Sequence, residues 1–255
     1  MAAIETQGKE DVPKPYDQFI LFGDSITQLG CNQELGFAFH AALQESYSRR
    51  LDVINRGLAG YTTADATQVF ESFFPSPQIA TVRFMAIFFG ANDACVPNHN
   101  QHVPVDQYKE NLKIIIQHPA TRAQNPHIIL ITPPPVNEYQ LESFDAANGT
   151  PFLSRTASLT KSYAVAAREV GTSLNLPVVD LWSAFMKPTG WEEGQPLIGS
   201  QDAPNNEIFS SLFTDGLHLT PAGNRIIYDE LLEIIQATWP DQTPAMLPMV
   251  FPAPK

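Results

Sequence analysis

The stretch LFGDSITQLG, residues 21–30, follows directly on Phe19 and Ile20. Its first residues complete a short, continuous apolar run, the pattern of a strand buried on both faces. The character then changes at once to glycine, carboxylate and hydroxyl: Gly23, Asp24, Ser25. A chain that breaks its most buried-looking run in this way is either making a plain turn or holding a serine at the mouth of a sheet. The residues downstream decide between the two.

Outward from this run, short apolar segments alternate with helical patterns. Spacing predicts strands over 18–22, 51–55, 82–89, 127–132 and 176–181. It predicts helices over 36–50, 63–73, 105–117, 158–170 and 221–237. Thr62 or Thr63 is the N-cap of the second helix, His118-Pro119 stops the third, and Gly171 reads as the C-cap of the fourth. Pro221 occupies a favoured first-turn position of the last helix. Strands alternating with helices predict an α/β fold: a three-layer α/β/α sandwich around a five-stranded parallel sheet, doubly wound in flavodoxin-like order. Residues 1–17 read as an N-terminal extension, 18–238 as one domain and 239–255 as a proline-rich tail, extended along the body or toward a partner.

The bulk composition narrows the function. The chain has 255 residues, 44% hydrophobic and 16% charged, enough to bury a core. A net charge of −12 argues against nucleic acid, which requires a basic footprint, and against an anionic membrane surface. Small neutral or cationic molecules are the partners it favours. Two cysteines, Cys31 and Cys95, cannot define a disulfide framework and read as reduced thiols. No apolar stretch near the N-terminus resembles a signal peptide, and no run is long enough to span a membrane. A cytoplasmic location is the expectation, and Asn148-Gly149-Thr150 reads as a turn rather than a glycosylation site.

In doubly wound sheets chemistry sits beyond the carboxyl ends of the strands. There the sequence places Gly23-Asp24-Ser25, then 56–61 (RGLAGY), then Gly90-Ala91-Asn92-Asp93, and ahead of the last helix Asp215-Gly216-Leu217-His218. Acyl transfer by serine needs a base that titrates near neutrality, an anion to orient that base, and donors aimed at the oxyanion. Ser25 is the candidate nucleophile, His218 the base and Asp215 its partner. The N–H groups of Ser25 and Gly60 and the amide of Asn92 are the candidate oxyanion donors. Asp24 is a supporting residue expected to hydrogen-bond the neighbouring loops; Arg56 either braces the second loop or is a surface charge. Taken singly, each block is a turn or a helix cap; it is their ordered combination that points to catalysis.

Other residues carry less. Cys95, His99 and His102, with Asp93, are a conceivable metal set, but their spacing fits no common zinc pattern and a surface loop is favoured. His40 reads as a packed histidine, and His118 and His127 have no accompanying motif. Phe88, Phe89 and the phenylalanines of 70–74 read as core.

With these blocks in view, the sequence resembles the SGNH, or GDSL, hydrolase family. The matching blocks are FGDSIT around Ser25, RGLAGYTT around Gly60, FFGANDAC around Asn92 and TDGLHLTPAG around His218. The resemblance runs from about residue 18 to about 238 and is greatest to the isoamyl acetate-hydrolysing esterases. It implies the SGNH hydrolase fold and a carboxylic ester hydrolase. It also implies a Ser25–His218–Asp215 triad with an oxyanion hole of Ser25, Gly60 and Asn92, and no metal or cofactor. The substrate it implies is a small neutral ester of short, acetyl type; a homodimer is an open option. An acyltransferase or a sugar-ester deacetylase would use the same triad, and a catalytically silent binding protein would lack one of its members. Residues 137–155 are individual to this chain and are expected near the substrate mouth.

Overall fold

Apolar runs with little amphipathic alternation form the centre of a parallel sheet, because helices cover both of its faces. A computed structural model describes residues 15–251. In chain order the elements are β1 (Asp17–Gly23), α1 (Ser25–Leu29), α2 (Phe39–Ser46), β2 (Leu51–Gly57) and α3 (Thr63–Phe73), followed by β3 (Val82–Phe88), α4 (Val105–Ile116), α5 (Pro119–Gln124), β4 (His127–Ile131) and α6 (Glu138–Ala147). The chain continues through α7 (Ala157–Ser173), β5 (Val178–Val179), α8 (Leu181–Met186), α9 (Glu207–Ser210) and α10 (Pro221–Thr238). The strands form one five-stranded sheet in the order β2-β1-β3-β4-β5, parallel throughout. This is the expected doubly wound α/β architecture.

Alternation along β1 divides the interior in two. Phe19 and Leu21 face a core shared with α2 and α10, including Leu43, Ile227, Leu231 and Ile235. Ile20 and Phe22 face the other, shared with α3, α4 and α7, where Phe70, Leu112 and Ala167 pack. The register sets Gly23 opposite both Gly57 and Phe88. The loops after β1, β2 and β3 therefore leave the sheet at one level, and the switch point of the strand order lies between β1 and β3.

Several boundaries differ from the sequence reading. The helix expected over 36–50 narrows to Phe39–Ser46, since Ala38 is still extended and Arg49 adopts a left-handed φ of 65°. Gly171 does not cap α7 but lies within it; a Cβ there would stand 2.1 Å from Val178 Cγ2, so the glycine serves close helix–strand packing. The fifth strand is only Val178–Val179, because Asp180 turns outward to cap α8, its carboxylate accepting from Ser183 N. Pro119, read as a stop, also opens α5 at the position proline favours. Thr62 is the N-cap of α3, in a reciprocal capping box with Asp65.

Residues 239–251 lie on the body rather than running extended: they contain a 3-10 turn, Pro240–Gln242, and Tyr47 and Arg50 donate to the carbonyls of Gln242 and Leu247. Residues 1–14 of the N-terminal extension and 252–255 of the tail fall outside the described residues. Among the described residues no helix is long and apolar enough to cross a membrane.

Candidate active site

Ser25 is the first residue of α1, immediately past the tip of β1. Asp24 caps that helix, its Oδ1 accepting from Ile26 N at 2.9 Å. The first N–H groups of a helix have no partner in its own ladder, so the Ser25 N–H is not consumed there. Asp24 thus supports its own helix instead of bridging to neighbouring loops as expected. It is 1% exposed, and its Oδ2 has no hydrogen-bond partner. Burial pushes its carboxyl up to about 7, against the lowering effect of the Ile26 hydrogen bond.

The loop before α10 delivers the other half of the site. An antiparallel bridge between Phe213 and Leu219 closes it, and Thr214 N donates to His218 O at 2.8 Å. At its apex Gly216 has φ 88°, and a Cβ would lie 2.4 Å from Asn137 O, so only glycine fits against α6. Within this turn Asp215 Oδ1 accepts from the N–H groups of Leu217 and His218, at 3.0 and 2.7 Å. That fixes Asp215 Oδ2, which lies 2.7 Å from His218 Nδ1. His218 Nε2 lies 3.0 Å from Ser25 Oγ, across 193 residues of sequence. Burial alone would raise the Asp215 carboxyl, but the hydrogen bonds and charge of His218 outweigh it and hold it below its ordinary value. Phe144, from α6, packs edge-on against the imidazole with ring centroids 5.9 Å apart.

Gly60 and Asn92 border the same bowl. Gly60 is exposed, with φ 81°. The Asn92 amide donates from Nδ2 to Tyr61 O at 2.9 Å, leaving its second N–H free to face the bowl. Asp93, just behind, is buried with its Oδ1 accepting from the Thr63 backbone N–H and hydroxyl; burial pushes it up to about 6 against those bonds.

The bowl encloses about 310 Å³ between Ser25, Gly60 and Asn92 on one side and Phe144, Asn148, Thr150 and Arg155 on the other. The segment 137–155 does reach the site. A second, smaller cavity of about 70 Å³ adjoins His218, lined by Ile26, Leu29, Leu35, Phe37, Leu219 and Pro221 together with the polar Asn32, Thr214 and Asn224.

Some candidates lie elsewhere. Arg56 is exposed, its guanidinium 5.9 Å from the Phe73 ring, and it is a surface charge rather than a brace. Cys95 is buried rather than on a surface loop; it forms a β-bridge with Arg155, and burial pushes its thiol up to about 11. His102 Nδ1 is bonded to Cys95 O and His99 Nδ1 accepts from Gln101 N. Among the described residues no three His, Cys, Asp or Glu side chains are grouped to hold a metal. His40 packs against β2, with Nε2 2.9 Å from Val53 O. Arg155, Gln101 and Phe144 are site residues that no motif announced.

The match to known proteins covers the whole of this site. The GDSL-like lipase/acylhydrolase family model matches residues 21–226.

The chain belongs to that family.

A GDSL esterase/lipase of Arabidopsis thaliana is 33% identical, over 92% of this chain and 91% of its own length. The isoamyl acetate-hydrolyzing esterase 1 homolog of Mus musculus is also 33% identical, over 93% of this chain and 86% of its own. Among solved structures, the lipase/acylhydrolase from Enterococcus faecalis superposes with a TM-score of 0.61 at 25% identity, covering 87% of this chain and 96% of that one. An acetyl xylan esterase shares the fold with a TM-score of 0.62 at 21% identity, covering 86% of this chain and 99% of that one. Like the members of this GDSL family it matches, the chain is a carboxylic ester hydrolase.

Proposed function

We propose that this GDSL hydrolase cleaves short-chain, acetyl-type esters of apolar alcohols through an acyl-enzyme on Ser25. The observation that carries the reading is the continuous chain from Ser25 Oγ through His218 to Asp215, at 3.0 and 2.7 Å. Asp215 holds the Nδ1–H tautomer, so Nε2 is the free base. As Ser25 Oγ bonds to the ester carbonyl carbon, its proton passes to Nε2. The carbonyl oxygen becomes an oxyanion facing the N–H groups of Ser25 and Gly60 and the amide of Asn92. The C–O bond then breaks, and His218 returns the proton to the departing alkoxide. Water, deprotonated by the same nitrogen, attacks the acyl-enzyme and releases acid and Ser25.

The leaving oxygen must approach Nε2 to be protonated, so the alcohol extends past His218. The small cavity beside His218, apolar along Ile26, Leu29, Leu35 and Phe37 and polar at Asn32, Thr214 and Asn224, fits a short alkyl group. The isoamyl acetate-hydrolyzing relatives are consistent with this assignment.

The test is turnover of p-nitrophenyl esters of rising acyl length. Acetate or butyrate is expected to be fastest, and Ser25→Ala is expected to abolish turnover while the far-ultraviolet circular dichroism is unchanged. Wild-type turnover by a folded Ser25→Ala protein would end the reading.

A further inference from the structure

Arg155 precedes α7 and belongs to none of the sequence blocks, yet it is 4% exposed and forms hydrogen bonds across the back of the bowl. Its Nε donates to Ala91 O at 2.6 Å and its Nη1 to Ser154 Oγ at 2.9 Å. Its Nη2 donates to Asn92 Oδ1 at 2.9 Å and reaches Gln101 Oε1 at 3.4 Å. Gln101 in turn donates from Nε2 to Gly60 O at 2.8 Å. Ser154 is itself fixed by buried Asp145, which accepts from its N–H and hydroxyl, both at 2.7 Å.

A guanidinium carries only donors, so whatever atom of Asn92 faces it must be an acceptor. The amide is thereby prevented from flipping. Its oxygen is held on the guanidinium and one N–H on Tyr61 O, which leaves the second N–H for the bowl that Asn92 and Ser25 both line. Released, an amide can turn its oxygen into the same space, where it would repel an oxyanion. The same guanidinium nitrogen reaches Gln101, whose Nε2 holds the Gly60 carbonyl, a group of the Gly60–Tyr61 peptide and not of the peptide that carries the Gly60 N–H.

We propose that Arg155 is a positioning residue for the reaction: it locks the Asn92 amide in the orientation that stabilises the oxyanion. This rests on the oxyanion-hole reading above. It places specificity for the transition state in a residue that touches neither nucleophile nor base.

A double-mutant cycle with p-nitrophenyl acetate tests it, using wild type, Asn92→Ala, Arg155→Met and the double variant. Arg155→Met is expected to lower kcat by about 10- to 100-fold with KM within about twofold, because an interaction made only in the transition state is lost. In the Asn92→Ala background the same substitution is expected to cost less than about threefold, since there is no amide left to orient. If Arg155→Met does not fold, Arg155→Lys replaces it in the cycle; one ammonium cannot reproduce the fork, and the same non-additivity is expected. Equal losses in both backgrounds, with Asn92→Ala itself impaired, would overturn this proposal alone. Wild-type kcat in Asn92→Ala would overturn the oxyanion reading and this proposal together.

Discussion

A single turn decides what His218 can do. Asp215 has two oxygens, and the backbone N–H groups of Leu217 and His218 claim Oδ1. Only Oδ2 is left for the imidazole. Asp215→Asn sharpens the point, because its Oδ1 can still accept from the backbone while an NH₂ group then faces Nδ1. That forces the proton onto Nε2, where it blocks acceptance from Ser25. The variant is expected to keep its fold and its KM and to lose about 10³- to 10⁴-fold in kcat, measured by steady-state hydrolysis. A loss under about tenfold would mean that the carboxylate does not set the tautomer.

Among the elements, glycine in α7 behaves contrary to its helix propensity. Gly→Ala in an exposed helix interior stabilises by roughly 0.5–1 kcal/mol. At Gly171 the added methyl would stand 2.1 Å from Val178 Cγ2, so Gly171→Ala is expected to destabilise by about 1–3 kcal/mol, read from urea midpoints. The same position shows where sequence reading stops. Five strands, the capping threonine of α3 and the four blocks around Ser25, Gly60, Asn92 and His218 were legible because each is local: a period, a cap, or a short motif next to a strand end. Gly171 looked like a cap because its packing partner lies on another element. Arg155 ends the stretch expected at the substrate mouth, but nothing local marked its bond to Asn92, which lies 63 residues away in the chain. Asp24 was singled out, but whether it bridged loops or capped α1 depended on the exit angle of the strand.

For the molecule as a whole, two buried carboxyls shape stability. Burial pushes Asp24 up to about 7 and Asp93 up to about 6, from 3.8. A raised acid keeps its proton in the folded state at pH values where the unfolded chain has released it. The stability it contributes is therefore full below pH 3.8 and lost as pH rises toward 6 to 7. Repulsion within a chain of net charge −12 acts in the same direction. The urea midpoint is expected to fall between about pH 5 and about pH 8. Asp24→Asn retains a capping oxygen and removes the titration, so it is expected to raise the midpoint at about pH 8 and leave it unchanged near about pH 4. An equal effect at both would show that Asp24 is not protonated in the folded molecule. The central claim, that ester carbonyls are attacked by Ser25, is tested by mass spectrometry of the acid-quenched protein after brief mixing with p-nitrophenyl acetate, followed by peptide mapping. One acetyl group is expected, on the peptide carrying Ser25 and absent from Ser25→Ala. Sustained hydrolysis with the acetyl group on another residue, or an adduct undiminished in Ser25→Ala, would contradict the account.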